Sequence, residues 1–296
     1  MNSRWLRKVK RLPGRVKLGM RNAPFLRSFY QGAYLKRRAA FKESKLPLAE
    51  AEAELAAAID RDGCILTSMD ELPFMLNTPL LESVDRLLPE LLQLSGRPHE
   101  SSLSLSHETI IKYPELYAWG LHEKLLDLAE DCLGLPAFYH RLEIRNDLVN
   151  KTNPTPASQW HRDPADYKIF KLIVYLNDVS AGGGPFEFIS KGESASAAHA
   201  LNYSSGYLSD EVMERFVARD RWSACIGSRG SVVIGDTASI FHRIRAPSSE
   251  RRLSITYTYT SRSPIRIYDE ISLPPQDVKA ISKHLNERQR LCLFLD

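Results

Sequence analysis

The chain has 296 residues, 43% of them hydrophobic and 26% charged, enough to bury a sizeable core in one large domain or in one domain with appendages. It has no run of 18 apolar residues and no continuous apolar stretch at its N-terminus, which argues against a transmembrane helix and a secretory signal. The net charge of +4 is uneven: residues 1–45 hold 14 Lys or Arg against one acid, Glu43, so a basic arm of +13 precedes a body of −9.

In the arm, Trp5, Val9, Leu12, Val16 and Met20 recur at helical spacing with Arg and Lys on the other faces, and Pro13 predicts a kink or break. A second basic cluster, Lys36-Arg37-Arg38, follows. Three readings stand: an amphipathic anchor on an anionic membrane surface, an acid-poor transit segment, or a helix packed on or solvated beside the acidic body. None of it is a specific nucleic-acid signal. From Ser44 the pattern is helical, with Pro47 near the start, Leu48, Leu55 and Ile59 on one face and Gly63 as the stop. Residues 64–67 read as a short strand, and 79–94 and 121–133 as further helices.

The period then changes. Residues 137–149, 167–176, 185–190, 231–235, 238–242 and 252–260 are short, rich in β-branched and aromatic residues, and punctuated by Gly, Pro, Asn and Asp. Helices are expected near 209–219 and at 275–291, and the Ser- and Ala-rich stretch 191–210 as a mobile lid. The fold class is α+β, an antiparallel β-barrel braced by N-terminal helices. Cys64, Cys132, Cys225 and Cys292 are far apart and form no CxxC pair, which predicts buried free thiols and a reducing, cytoplasmic setting.

The sharpest local signal is Trp160-His161-Arg162-Asp163-Pro164. His161 and Asp163 fall where a strand enters a turn, and positions i and i+2 of a strand point to the same side. Pro164 keeps Asp163 extended. His242, after the strand-like SVVIGDTASIF, supplies a third ligand. Two His and one carboxylate with open positions form the ligand set of non-haem iron(II) oxygenases, in which a keto-acid chelates the metal and oxygen takes the last site. Zinc accepts the same donors but prefers a closed four-ligand site when structural. Arg252, ten residues beyond His242, would face the interior with Ser254 and Thr256 and grip the far carboxylate of 2-oxoglutarate through two parallel hydrogen bonds. The plain alternative for Arg252 is a surface arginine, the role given to Arg251. Lys171 and Arg145 are candidates for holding the co-substrate or an acidic substrate, with a solvated side chain as the alternative for each. Arg162, Arg243 and Arg245 suggest a basic rim for an anionic substrate. The other histidines, including His99, His107, His140 and His284, show no ligand spacing.

The string SQWHRDPADYKIFKLIVYLNDV, then GGGPFEFIS, GDTASIFHRIRAP and ERRLSITYTY, resembles the phytanoyl-CoA dioxygenase family of the Fe(II)/2-oxoglutarate oxygenase superfamily over roughly residues 55–262. The resemblance implies a double-stranded β-helix (jelly-roll, cupin-like) core with iron near one open end. His161, Asp163 and His242 match the family's metal ligands and Arg252 its co-substrate arginine. Ser190-Lys191-Gly192-Glu193 stands where members often carry Gly-Ser-His, which puts substrate contacts there in doubt. Related halogenases have a small residue at the carboxylate position, so the retained Asp163 favours hydroxylation or a related oxidation.

The expected organisation is a basic arm at 1–45 and one oxygenase domain at 46–296, with helical support at 46–135, the β-helix core at 136–268 and a C-terminal helix at 275–291. The expected function is an Fe(II)/2-oxoglutarate-dependent dioxygenase acting on a small or lipid-linked metabolite of unknown class. Its co-substrates are O2 and 2-oxoglutarate, and its setting is cytoplasmic or peripheral to a membrane. The alternatives are a non-catalytic β-barrel binding protein and a peripheral membrane adaptor acting through the arm.

Overall fold

The computed structural model describes residues 24–72, 77–94, 100–149, 156–265, 275–283 and 285–295. The predicted stripe from Trp5 to Met20, and His99 and His284, lie outside them. The N-terminal half is helical: α1 (Pro24–Ser44), α2 (Glu50–Asp62), α3 (Asn77–Gln93), α4 (His107–Ile110), α5 (Pro114–Gly120) and α6 (Glu123–Leu133), with strands β1 (Cys64–Ser68) and β2 (Ser102–Ser104) between them. The short elements β2, α4 and α5 carry too few residues to show a period, and the sequence reading misses them. The second half holds β3 (Ala137–Asp147), β4 (Phe170–Tyr175), β5 (Phe186–Ile189), helices α7 (Lys191–Ala200) and α8 (Asp210–Glu214), then β6 (Trp222–Cys225), β7 (Ser231–Asp236), β8 (His242–Ile244) and β9 (Arg252–Ser261).

Two expectations are corrected here. The first half of the stretch read as a mobile lid, residues 191–200, is the helix α7, whose N-cap Ser190 accepts from the Glu193 N–H. The single helix expected at 275–291 is two, α9 (Pro275–Ser282) and α10 (Glu287–Leu291), the second started by a capping box between Asn286 and Gln289.

Among the described residues all strand pairs are antiparallel. The large sheet runs β1-β7-β4-β9-β3-β2 and the small one β6-β5-β8. The segment Trp160-His161 extends the small sheet, because His161 pairs across to His242. From β3 onward the chain alternates between the sheets except at β5 and β6, which are neighbours in the small one, and this is the winding of a double-stranded β-helix. The large sheet's outer face packs Phe170, Leu172, Val174, Ile234, Ile255 and Tyr257 against the helices. On α3, Leu80, Val84, Leu87 and Leu91 recur at spacings of four, three and four, one stripe of a 3.6-residue helix, and all are buried. Each contributes about 1.5–3 kcal/mol by leaving water. The inner face turns Ile173, Tyr175 and Val233 toward Phe186 and Cys225 of the small sheet.

Gly63 ends α2 as the sequence predicts: its φ of +85° is left-handed and its N–H caps the Ile59 carbonyl. A Cβ there would also run into Ile240. Gly63→Ala should cost about 1–3 kcal/mol, read as a lower denaturant midpoint at unchanged slope. All four cysteines are free and buried, as expected. Among the described residues, no helix is long and apolar enough to cross a membrane.

Candidate active site

His161 and His242 face each other as a hydrogen-bonded cross-strand pair, each N–H donating to the other's carbonyl at 3.0 Å. Their side chains therefore leave the sheet on the same side, with ring centroids 4.4 Å apart. Two residues on, the Asp163 N–H donates to the Thr237 carbonyl at 3.0 Å, which fixes the turn where the carboxylate swings inward. His161 Nε2 lies 3.6 Å from Asp163 Oδ1, and His242 Nε2 lies 3.7 Å from Oδ2. One ligand atom from each of the three residues falls within 4.8 Å of the others, and among the described residues no other such group is found.

The far side of each ring sets its tautomer. His161 Nδ1 is 2.8 Å from the Gln159 carbonyl and His242 Nδ1 is 3.3 Å from the Ile240 carbonyl. A carbonyl only accepts, so Nδ1 carries the proton and Nε2 turns its lone pair to the centre. These are outer partners the sequence could not name. Burial, and then the neighbouring His161, push the His242 pKa well below the ordinary histidine range, which keeps the ring neutral. Burial alone would raise the Asp163 carboxyl, but Lys171 and then His242 outweigh it and hold it well below the usual range. Two lone pairs and a carboxylate meeting at one point repel each other unless a cation joins them. The donor set fits a divalent ion on one face, with no fourth protein ligand among the described residues to close the site.

Lys171 Nζ sits 2.5 Å from Asp163 Oδ2, which also accepts from Thr237 Oγ1 at 2.7 Å. Lys171 thus faces the interior at the metal end, whereas Lys168 turns to Asp60 and Asp236 on the other side. Arg252 faces the interior and is fully buried, while Arg251 is exposed. Its guanidinium donates to the Gly184 carbonyl at 2.9 Å and to Asp147 Oδ2 at 2.5 Å. Phe186 stacks on His242 with centroids 5.4 Å apart and rings 18° from parallel, walling one side of the donor cluster.

The basic rim of the sequence reading is not formed. Arg243 directly follows His242, so it leaves the strand on the opposite face. There it lies 4.5 Å from the Trp160 ring and pairs with Glu187 and Asp210. Arg245 turns to the same Glu187, and Arg162 donates to the Ala238 carbonyl. Arg243→Ala would leave the buried Glu187 short of its main partner and free the Trp160 ring that backs the ligand turn. We expect a loss of about 3–5 kcal/mol in thermal or denaturant unfolding.

Two residues near the site escaped the sequence reading. His140 sits at a bulge of β3, where the register to β9 shifts between Tyr139 and Arg141. The bulge turns its ring to Thr260, Nδ1 to Oγ1 3.3 Å, and burial lowers its pKa to about 4. No local pattern announces a bulge. Tyr207, 54% exposed, lies over His161 with centroids 5.2 Å apart. It belongs to the connection after α7, and only the pairing of Leu208 with Trp160 brings it there.

No protein-family model and no curated protein matches the chain. Solved structures do. The non-heme alpha ketoglutarate dependent carbocyclase SnoK of nogalamycin biosynthesis is 15% identical, with 74% of this chain and 88% of SnoK covered and a TM-score of 0.52. The epimerase SnoN, in complex with Fe3+, alpha ketoglutarate and nogalamycin RO, is 18% identical over 76% of this chain and 91% of its own, with a TM-score of 0.50. EctD from S. alaskensis, with 2-oxoglutarate and 5-hydroxyectoine, is 20% identical over 73% and 79%, with a TM-score of 0.48. The chain therefore has the double-stranded β-helix fold of SnoK and SnoN, as the sequence reading expected.

Proposed function

We propose that this protein is an Fe(II)/2-oxoglutarate-dependent oxygenase with His161, Asp163 and His242 as its metal ligands. The observation that carries the reading is the convergence of two Nε2 lone pairs and one carboxylate within 4.8 Å, each imidazole tied back through Nδ1. SnoN, which shares the fold, binds Fe3+ and alpha ketoglutarate, and this supports the same cofactor and co-substrate here. When bound, iron with 2-oxoglutarate and oxygen supplies oxidative decarboxylation to succinate and carbon dioxide, coupled to oxidation of a substrate C–H bond.

The chain's own part is positional. His161 and His242 present fixed tautomers, and Lys171 and Thr237 keep Asp163 ionised and aimed. Lys171 also brings a positive charge beside Asp163, where it would help to hold an anionic co-substrate. Arg252 takes the far carboxylate, and Phe186 keeps water from one flank of His242. Within the superfamily we favour the phytanoyl-CoA dioxygenase family, on the motif spacing and the retained Asp163, and hydroxylation of a small metabolite as the outcome. The test is Fe(II)-dependent succinate formation from 2-oxoglutarate by the purified protein, screened against a metabolite extract. No succinate above a chelator-treated control would sink the proposal.

A second, compatible reading concerns α1. Phe29 and Leu35 are 70% and 50% exposed, and Lys36 and Arg37 are exposed beside them. The opposite side packs on the body, with Tyr34 stacked on Tyr167 at 4.3 Å. We propose that residues 1–45 rest on an anionic membrane surface. Replacing Lys36 and Arg37 by Gln should weaken co-sedimentation with phosphatidylserine vesicles by about 1 kcal/mol per charge. Unchanged binding would remove the membrane reading and leave the oxygenase reading intact.

A further inference from the structure

The inner face of the large sheet is a ladder of charge. Across β3, β9 and β4, Arg141, Thr258 and Lys171 lie side by side at the metal end; Glu143, Thr256 and Ile173 form the next row; Arg145, Ser254 and Tyr175 the third; and Asp147 and Arg252 the last. On β3 and β9 these rows hold three cations and two carboxylates. Arg141 is hydrogen-bonded to Glu143. At the deep end, two guanidiniums share one carboxylate: Arg145 Nη2 lies 2.5 Å from Asp147 Oδ1, and Arg252 Nη2 lies 2.5 Å from Oδ2. Burial alone would raise the Asp147 carboxyl, but Arg252 and then Arg145 outweigh it and hold it at about 2.

The deep end therefore carries one positive charge more than its carboxylate balances. Glu143 is hydrogen-bonded to Arg141 through Oε1 and reaches Arg145 only through Oε2 at 3.8 Å, an ion pair without a hydrogen bond. Moreover, the Nε atoms of Arg145 and Arg252 are both buried without a hydrogen-bond partner among the described residues. Unspent N–H donors on buried cations are costly, and the chemistry that satisfies them is a second carboxylate. A guanidinium is built to receive one through its planar fork. Of the two arginines, Arg145 stands one row nearer the metal ligands, two strand residues or about 7 Å.

We propose that Arg145 joins Arg252 as the receptor for the far carboxylate of 2-oxoglutarate, with Asp147 held between the two guanidiniums to aim them. This rests on the oxygenase reading and adds to it a binding residue from β3, the strand before the metal motif. Asp147 orients the pair as an internal counter-ion, and the arriving carboxylate supplies the charge that Asp147 alone does not.

The experiment is anaerobic titration of the Fe(II)-loaded full chain with two keto-acids, read by calorimetry and by the charge-transfer absorption of the chelate. The two are 2-oxoglutarate and 2-oxobutyrate, which has the same chelating end and no far carboxylate. Arg145→Gln should weaken 2-oxoglutarate by about tenfold to a hundredfold and leave Fe(II) and 2-oxobutyrate binding as in the wild type. Arg145→Lys, which keeps the charge and loses the fork, should fall between. Equal losses for both keto-acids would assign Arg145 a merely structural role and overturn the inference, as would wild-type affinity for 2-oxoglutarate in Arg145→Gln. Wild-type protein that binds neither keto-acid in an iron-dependent way would overturn the oxygenase reading itself, a result distinct from either.

Discussion

Asp163→Asn should reduce iron-dependent succinate formation to background while the fold persists. The substitution keeps the side chain's volume and its place beside Thr237 but removes the negative charge on which the metal depends. Loss of an outer partner of a metal ligand typically costs about tenfold to a hundredfold in affinity, and loss of a ligand's charge exceeds that. Lys171, now 2.5 Å from a carboxylate oxygen, would face a neutral amide. Its ammonium would then repel a cation that the carboxylate had attracted. The decisive measurements are Fe(II) affinity and succinate release on the same preparation. Wild-type values in both would remove Asp163 from the metal site, and with it the functional proposal.

A stability effect as large as that at Arg243 is expected at Asp147. Asp147→Ala leaves Arg145 and Arg252 facing each other inside the barrel without their shared carboxylate. Breaking a buried ion pair from one side costs about 3–5 kcal/mol, and for a domain of this size that is a fall in melting temperature of about 10 °C. The acid limb of stability should change as well. The carboxyl's pKa is lowered from 3.8 to about 2 on folding, so its stabilisation is fully present above the higher value. It is lost as the pH falls through the lower one. The wild type should therefore shed stability between about pH 4 and pH 2, and the alanine variant should lack that component. A melting temperature within a degree or two of the wild type would show that the two guanidiniums are not held by Asp147.

Much of the site was legible because it is local. His161 and Asp163 needed only the two-residue repeat of a strand, and Pro164 and Gly63 only their backbone preferences. Parity could have been pushed further: Arg162 and Arg243 adjoin metal-ligand candidates, so the same repeat sends them to the opposite face. The basic rim was a misreading available for correction from sequence. The inward face of β3 was not. Continued from His140, the repeat would have turned Leu142 and Ile144 into the barrel and Arg141, Arg145 and Asp147 toward the helices. The bulge after Tyr139 reverses that parity.

Residue order alone determined the candidate donor types, their spacing and the change from helices to strands, because each follows from backbone geometry within a few residues, whereas strand parity by itself left open which of Arg251 and Arg252 turns inward. Tertiary structure alone decided that His242 sits opposite His161, that Lys171 reaches Asp163, and that two arginines on different strands close on Asp147. Those contacts join segments up to 105 positions apart. They exist only because the apolar outer face of the large sheet is driven against the helices, and that packing leaves the opposite face, with its charges, lining the barrel.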